Sequence, residues 1–270
     1  MDLKKQVEAL LEQGEIDIFL GYRRLDGHSV PHGFTRDNLE DLEDFCPGQD
    51  RYPLETVARH LHEKDPQLVI GILTRECNGR ALNVLYSWNK LNPENIRTIG
   101  LNCCPSPLKS SSDCSYLNPA TAGQGKQAAG VDPSIDPEVF MEQFDGQERF
   151  SRWMYEFGKC IKCYGCRNIC PVCFCLECSL EHPDLVEPGT LPPEIPIFHL
   201  VRAVHMAGRC IDCGLCESAC PAEIPLRLLY REVNRTVGLV FDFRPGETLE
   251  KSPLTLIGTG QPPALRPMDA

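Results

Sequence analysis

The chain has 270 residues, a formal charge of −11 and a 42% share of hydrophobic residues. That length admits two compact domains, and the acidic balance disfavours nucleic acid and anionic membrane surfaces as partners, since both require a positive face. The composition is that of an ordinary globular protein except for 16 cysteines, which stand beside 23 prolines and 21 glycines.

The N-terminus, Met1-Asp-Leu-Lys-Lys-Gln-Val-Glu8, lacks the apolar core of a signal peptide, and the longest aliphatic run, Leu68 to Leu73, is too short to span a bilayer. A cytoplasmic location without membrane insertion is the expectation. In that compartment thiols stay reduced, and clustered cysteines point to metal or redox chemistry. Residues 1–13 predict a short amphipathic helix with Leu3, Val7, Leu10 and Leu11 on one face. Ile16 to Leu20 reads as a strand leading into Gly21-Tyr22-Arg23-Arg24, and the chain from there to about residue 52 reads as polar and irregular. Pro53 stands where a helix begins, with Leu54, Val57, Ala58 and Leu61 at helical spacing behind it.

The run Leu68-Val-Ile-Gly-Ile-Leu73 suits a buried parallel strand. Residues 79–91 place Ala81, Val84, Leu85, Trp88 and Leu91 on one helical face, and Ile96 to Leu101 predicts a second strand. This strand–helix–strand unit makes the two strands parallel. Cys77 follows the carboxyl end of the first strand, and Cys103 and Cys104 follow that of the second. Open parallel sheets bind their ligands at this edge.

Residues 105–136 are rich in Ser, Gly, Pro and Asn, enclose Cys114, and read as a long loop. Helical spacing returns over residues 137–158 through Phe140, Phe144, Phe150, Met154 and Phe157, with a break near Asp145-Gly146. Two cysteine motifs follow, separated by an insertion that begins Pro171-Val-Cys173-Phe-Cys175-Leu-Glu-Cys178, passes through a Pro-rich loop and predicts a helix from Ile197 to Ala207 closed by Gly208. Leu226, Leu229, Tyr230 and Val233 predict a last helix ended by Gly238, and the tail beyond Pro245 is Pro-rich and extended. The expected architecture is an α/β domain with a small parallel sheet over residues 1–136, then an α+β two-cluster domain of the bacterial ferredoxin kind with a cysteine-bearing insertion over 137–245, then a tail over 246–270.

The motifs carry the chemistry. Cys160-x-x-Cys163-x-x-Cys166-x-x-x-Cys170-Pro171 recurs as Cys210-x-x-Cys213-x-x-Cys216-x-x-x-Cys220-Pro221. Such a run presents three thiolates to one 4Fe–4S cubane and carries the fourth, one turn further on, to the other cubane. Cys160, Cys163, Cys166 and Cys220 are thus the expected ligands of one cluster, and Cys210, Cys213, Cys216 and Cys170 those of the second. A zinc site needs four ligands in all and has no use for a third cysteine at x-x spacing plus a fourth at x-x-x with proline behind it, twice over. A disulfide framework suits short secreted chains instead.

The remaining cysteines are Cys46, Cys77, Cys103, Cys104, Cys114, Cys173, Cys175 and Cys178, too many to be inert buried thiols alone. Cys175-x-x-Cys178 is a two-ligand hook, and the sheet edge carrying Cys77 and Cys104 is placed to complete a four-thiolate site for a third 4Fe–4S cluster or for zinc. Cys103 is an alternate to Cys104, and Cys173 to either hook residue.

Val69-Ile-Gly-Ile-Leu-Thr-Arg-Glu-Cys77-Asn-Gly-Arg80-Ala81, with Ile99-Gly-Leu-Asn-Cys103-Cys104 behind it, resembles the N-terminal half of the beta subunits of deazaflavin-linked hydrogenases and formate dehydrogenases. The stretch from Cys160 to Cys178, and His199-Leu-Val-Arg-Ala-Val-His205-Met-Ala-Gly-Arg-Cys210, is similar to the dicluster form of those subunits. The resemblance covers most of residues 65–245 and implies a non-catalytic iron–sulfur subunit that connects a catalytic oxidoreductase subunit to a further electron carrier. It also implies an additional cluster on the cysteines that match Cys77, Cys104, Cys175 and Cys178, and, in the wider family, a flavin that reduces a deazaflavin coenzyme. No Gly-rich dinucleotide fingerprint accompanies it here.

Electron exchange at iron needs no general base or nucleophile, so the protein's part is to set cluster spacing, solvent access and nearby charge. Lys159, Lys162 and Arg167 flank the first motif, while Asp212 and Glu217 lie inside the second, which predicts the higher reduction potential at the first. His199 and His205 lie on the helix before the second motif and read as packing residues. His28, His32, His60, His62 and His182 show no metal spacing. Arg75 and Arg80, beside Cys77, sit where a helix start binds an anion or form ordinary salt bridges.

Overall fold

A computed structural model describes residues 3–47, 51–101 and 143–256. The loop expected over 105–136, Cys103, Cys104 and Cys114, and the last part of the tail lie outside the described residues. The chain divides into two compact units, one of residues 1–103 with 246–251 and the other of 104–245 with 252–270.

The first unit is α/β. Its elements are α1 (Leu3–Gln13), β1 (Ile18–Leu25), β2 (His28–Phe34), a 3-10 segment (Arg36–Asp44), β3 (Phe45–Cys46), α2 (Leu54–Lys64), β4 (Ile70–Thr74), α3 (Glu76–Ser87) and β5 (Ile96–Gly100). The sheet runs β2-β1-β4-β5, with β3 also paired to β1. β4 is parallel to β1, with Ile70 opposite Ile18, and parallel to β5, with Ile70 opposite Ile96. All five residues of β4 are buried, which is why its sequence is a continuous apolar run rather than an alternation. α2 packs on β4 and β1, and α3 on β4 and α2.

The sheet is mixed rather than wholly parallel. β1 continues to Leu25 and turns back through Asp26-Gly27 into β2, so that residues expected to be irregular form an antiparallel edge strand. Asp26 and Gly27 hold φ of 49° and 82°, the positive pair that suits a two-residue hairpin to the twist of its strands. Phe34 of β2 and Phe19 of β1 meet at 6.1 Å between ring centroids, and Phe45 closes on both at 5.8 and 5.9 Å. A Cβ at Gly27 would meet no atom within 4 Å, so the cost of a side chain there is conformational alone. Gly27→Ala is expected to lower stability by about 1 kcal/mol, read from chemical denaturation.

The second unit comprises α4 (Gly146–Gly158), α5 (Gly165–Asn168), α6 (Ile197–Met206), α7 (Leu215–Ser218) and α8 (Leu226–Phe241), joined by loops and short 3-10 turns. Where the sequence suggested α+β, the described residues of this unit are helical and hold no strand. α4 starts at an Asp145 cap whose carboxylate accepts from the N–H groups of Gln147 (2.8 Å) and Glu148 (2.9 Å). Its Phe157 packs with Ala203 of α6, with Cys216, and with Leu226, Leu229 and Tyr230 of α8 in one apolar cluster bordered by Cys160, Cys166, Cys210 and Cys220. The helices therefore form the wall against which both cysteine loops fold. No helix among the described residues is long and apolar enough to cross a membrane.

Candidate metal centre

The two motifs fold alike. Lys162 and Asp212 hold φ of 52° and 54°, and Tyr164 and Gly214, which open the following helices, hold 57° and 75°. Each loop then makes a single helical turn, α5 or α7, and ends with the fourth cysteine donating its N–H back to Arg167 (3.2 Å) or Glu217 (3.0 Å). The first cysteine of each loop receives a backbone N–H two residues on, from Lys162 to Cys160 at 3.4 Å and from Asp212 to Cys210. Bonds of this kind to cluster sulfur tune potential. Glycine takes the left-handed position freely at 214. At 164 a tyrosine takes it, and the ring is held by an edge contact with Phe198 and by its hydroxyl donating to the Leu180 carbonyl at 2.7 Å.

The thiols fall into two groups that exchange members between the motifs. Burial raises the pKa of Cys160, and the charges of Cys166, Cys220 and Cys163 raise it further. Burial likewise raises Cys166, with Arg202 opposing and Cys220 and Cys163 adding. Burial pushes Cys170 up to about 12, and its thiol neighbours there are Cys213 of the other motif and Cys173. Cys210 and Cys216 are raised first by burial and then by the charges of Cys213 and Cys170, with Cys210 adding at Cys216, while the Asp212 N–H opposes the rise at Cys210 and Arg202 opposes it at Cys216. Cys220 thus stands with the first three cysteines of the first motif, and Cys170 with those of the second.

Cys170, Cys210, Cys213 and Cys216 line one cavity together with Arg202, Met206 and Tyr230. Four thiols around a space, with Cys170, Cys210 and Cys216 pushed by burial toward the neutral form, fit a group that brings its own positive charge, since iron holds coordinated thiolates ionised. Among the described residues no three His, Cys, Asp or Glu side chains converge as for a single metal ion. A cubane takes one thiolate on each of four irons and does not require that convergence. Cys163 is exposed, whereas Cys213 and Cys216 are buried, so the first group lies nearer solvent.

The charges around the motifs are compensated. Lys159 pairs with Glu156 at 2.5 Å, Arg167 with Glu181, and Lys162 donates to the Glu187 carbonyl at 2.6 Å with Glu194 at 3.8 Å. On the other side Asp212 is held by Arg227 at 2.7 Å and by Arg231 at 3.6 Å. Burial raises the pKa of Glu217, whose carboxylate accepts from the Arg227 N–H at 3.1 Å. The positive charges at the first motif, from which its higher potential was expected, and the acidic groups at the second are therefore both offset locally.

The insertion is tied to the first loop. Leu180, Val186 and Phe198 form a small apolar cluster that Cys160, Tyr164 and Cys178 border. Cys178 thus lies beside the first group. Cys175 is exposed, with Arg209 at 3.9 Å from its sulfur. Cys173 sides with the second group, its sulfur 3.9 Å from Arg202 and its N–H donating to the Cys170 carbonyl at 3.2 Å. Cys77 lies in the first turn of α3 in the first unit, half-buried, with Arg51 donating to its sulfur at 3.2 Å. His199 packs as expected, stacked on Phe157 at 4.5 Å, and burial pushes its pKa down to about 4, so the imidazole is neutral. The residue that the sequence reading passed over is Arg202, three positions along the same buried face. Its signal was a charge inside the apolar run Leu200-Val-Arg-Ala-Val204.

Residues 157–173 and 203–225 each match a family model described as a 4Fe–4S binding domain. The chain is 42% identical over 103 residues to the F420-dependent formate dehydrogenase subunit beta of Methanocaldococcus jannaschii, a match covering 38% of this chain and 27% of that one. It is 45% identical over 101 residues to the F420-dependent formate dehydrogenase 1 subunit beta of Methanococcus maripaludis, covering 37% and 26%. The chain carries two iron–sulfur binding segments and is similar over part of its length to these beta subunits. The match spans about a quarter of the length of each curated relative. In this iron–sulfur protein the two matched segments hold Cys160 to Cys170 and Cys210 to Cys220, the same two loops whose thiols exchange members.

Proposed function

We propose that the chain is an electron-transfer subunit, with one 4Fe–4S cluster on Cys160, Cys163, Cys166 and Cys220 and a second on Cys210, Cys213, Cys216 and Cys170. The observation that carries this reading is the exchange of the fourth cysteines between motifs, which is the ligand pattern of a two-cluster ferredoxin. When bound, each cluster supplies one-electron exchange at iron. The chain's own residues do the rest. Phe157, Leu229 and Tyr230 exclude water between the two groups, and the backbone N–H groups of Lys162 and Asp212 fix the first sulfur of each loop. Exposed Cys163 makes the first group the end nearer a partner.

The partners are a catalytic oxidoreductase subunit, such as a formate dehydrogenase or hydrogenase, and a further electron carrier, in keeping with the names of the curated relatives. A third cluster on Cys77, Cys104, Cys175 and Cys178, with Cys103 and Cys173 as alternates, rests on the sequence resemblance, and the place of Cys178 beside Cys160 is in keeping with it. The second reading, a flavin-dependent enzyme that reduces a deazaflavin coenzyme, is favoured by one observation: both relatives are named for F420 dependence.

Purification under anaerobic conditions with assay of iron, labile sulfide and flavin separates the readings. About twelve irons per chain without flavin is the result expected of a three-cluster relay, and about eight that of the paired motifs alone. Flavin at one per chain turns the assignment to the enzyme. Iron far below eight together with stoichiometric zinc removes the electron-transfer reading altogether.

A further inference from the structure

Arg202 is 3% exposed, on the inner face of α6, and no carboxylate pairs with it among the described residues. Its guanidinium donates through Nη2 to the Cys166 carbonyl at 2.7 Å, lies 3.9 Å through Nη1 from the Cys173 sulfur, and stands 5.8 Å from the centre of the Tyr230 ring. Its Nε finds no hydrogen-bond partner among the described residues. A buried guanidinium is always charged, and a charge taken out of water without an opposite charge is costly enough that proteins rarely keep one. A carbonyl and an aromatic face are poor compensation, and a neutral amide would satisfy the Cys166 carbonyl equally well.

The opposite charge is supplied by the thiols. Arg202 is bonded at 2.7 Å to the backbone of Cys166, which belongs to the first group, and lies 3.9 Å from the sulfur of Cys173, whose N–H is bonded to Cys170 of the second. The side chain also lines the cavity enclosed by the second group. One cation therefore reaches both groups, unlike Lys159, Lys162 and Arg167, each of which pairs with its own acceptor at the first motif. Four thiolates make each bound cluster a net anion in either oxidation state, and the added electron makes it more so. A buried cation stabilises the reduced state more than the oxidised one.

We propose that Arg202 is the shared counter-ion of the two clusters, a buried positioning residue that raises the reduction potential of both. The inference rests on the two-cluster assignment above. It goes beyond that assignment in naming a residue outside both motifs that sets their potentials together.

The test is an anaerobic redox titration followed by electron paramagnetic resonance on the full chain, comparing the wild type with Arg202→Gln and Arg202→Lys. In Arg202→Gln both clusters are expected to become harder to reduce by about tenfold or more in their reduction equilibria, where each tenfold is about 59 mV for one electron. Arg202→Lys, which keeps the charge, is expected to hold both within a few-fold of the wild type. A cluster whose reduction potential is unchanged in Arg202→Gln, or a lysine variant whose potentials fall as far as those of the glutamine one, overturns the proposal. If Arg202→Gln assembles no clusters, iron content decides. Full cluster iron in Arg202→Lys supports the charge assignment, and its loss there too overturns it. A wild type that shows no cluster signals at all removes the two-cluster assignment instead, so the two failures are distinguishable.

Discussion

Cys220→Ala is expected to abolish the cluster of the first motif and leave that of the second. Cys170→Ala is expected to do the reverse. Each loss removes one ligand of four from its site, and the lost position is one that the fold fixes, since the Cys220 and Cys170 N–H groups are bonded back to Glu217 and Arg167. The expected magnitude is loss of about four irons per chain, larger than the roughly 10- to 100-fold loss of affinity that follows removal of an outer-shell partner. Pairs of substitutions identify which cluster is lost. Residues that act through one site are non-additive, so Cys220→Ala combined with Cys163→Ala should lose no more iron than either alone. Cys220→Ala combined with Cys213→Ala should lose the iron of both clusters. Ligation within each motif predicts the opposite pairing, and iron analysis of the four proteins decides between them.

What could be read in advance depended on how local each feature is. The ligand loops were legible because a cubane dictates a fixed spacing and leaves little room for variation. β4 was legible because a strand buried on both faces must be apolar throughout, and α2 because Pro53 and the spacing of Leu54, Ala58 and Leu61 agree. The hairpin carried its own signal in Asp26-Gly27, but β2 hid it. Pro31 in its middle and the polar residues Ser29 and His32 read as a loop, and an edge strand tolerates all three. α3 begins three residues before the expected start, at Glu76, because Cys77, Asn78 and Gly79 obscure the spacing although Asn78 accepts the Arg75 N–H at 2.8 Å. Arg202 had no local signature beyond its charge, since its role depends on Cys166 and Cys170 meeting Cys216 across the repeat. The expectation of unequal potentials rested on charges whose partners could not be read, for a related reason. Sequence shows the charges of Lys162 and Asp212 but not the Glu187 carbonyl or Arg227 that each of them meets.

Glu55→Gln is expected to change the pH dependence of stability more than any surface substitution. Glu55 lies in the first turn of α2, 1% exposed, with Oε1 accepting from Asn78 Nδ2 at 2.6 Å and Oε2 without a hydrogen-bond partner among the described residues. Burial raises its pKa from 4.5 to about 7, even though the bond from Asn78 and the charges of Arg51 and Arg75 pull it down. Between those two values the folded protein holds a proton that the unfolded chain releases, so this group's contribution is fully present below about pH 4.5 and is lost as pH rises through about 7. The difference corresponds to about 3 kcal/mol. Glutamine keeps the acceptor for Asn78 and cannot ionise, but it leaves a buried amide N–H₂ unpaired at a pH-independent cost of about 1 kcal/mol. The variant should therefore be less stable than the wild type by about 1 kcal/mol near pH 4 and more stable by about 2 kcal/mol at pH 8, with the two curves crossing a little above pH 5. Chemical denaturation of both proteins across that range measures the difference directly. A constant offset at every pH would show that Glu55 has the same pKa folded and unfolded, so that the bond from Asn78 and the charges of Arg51 and Arg75 balance its burial.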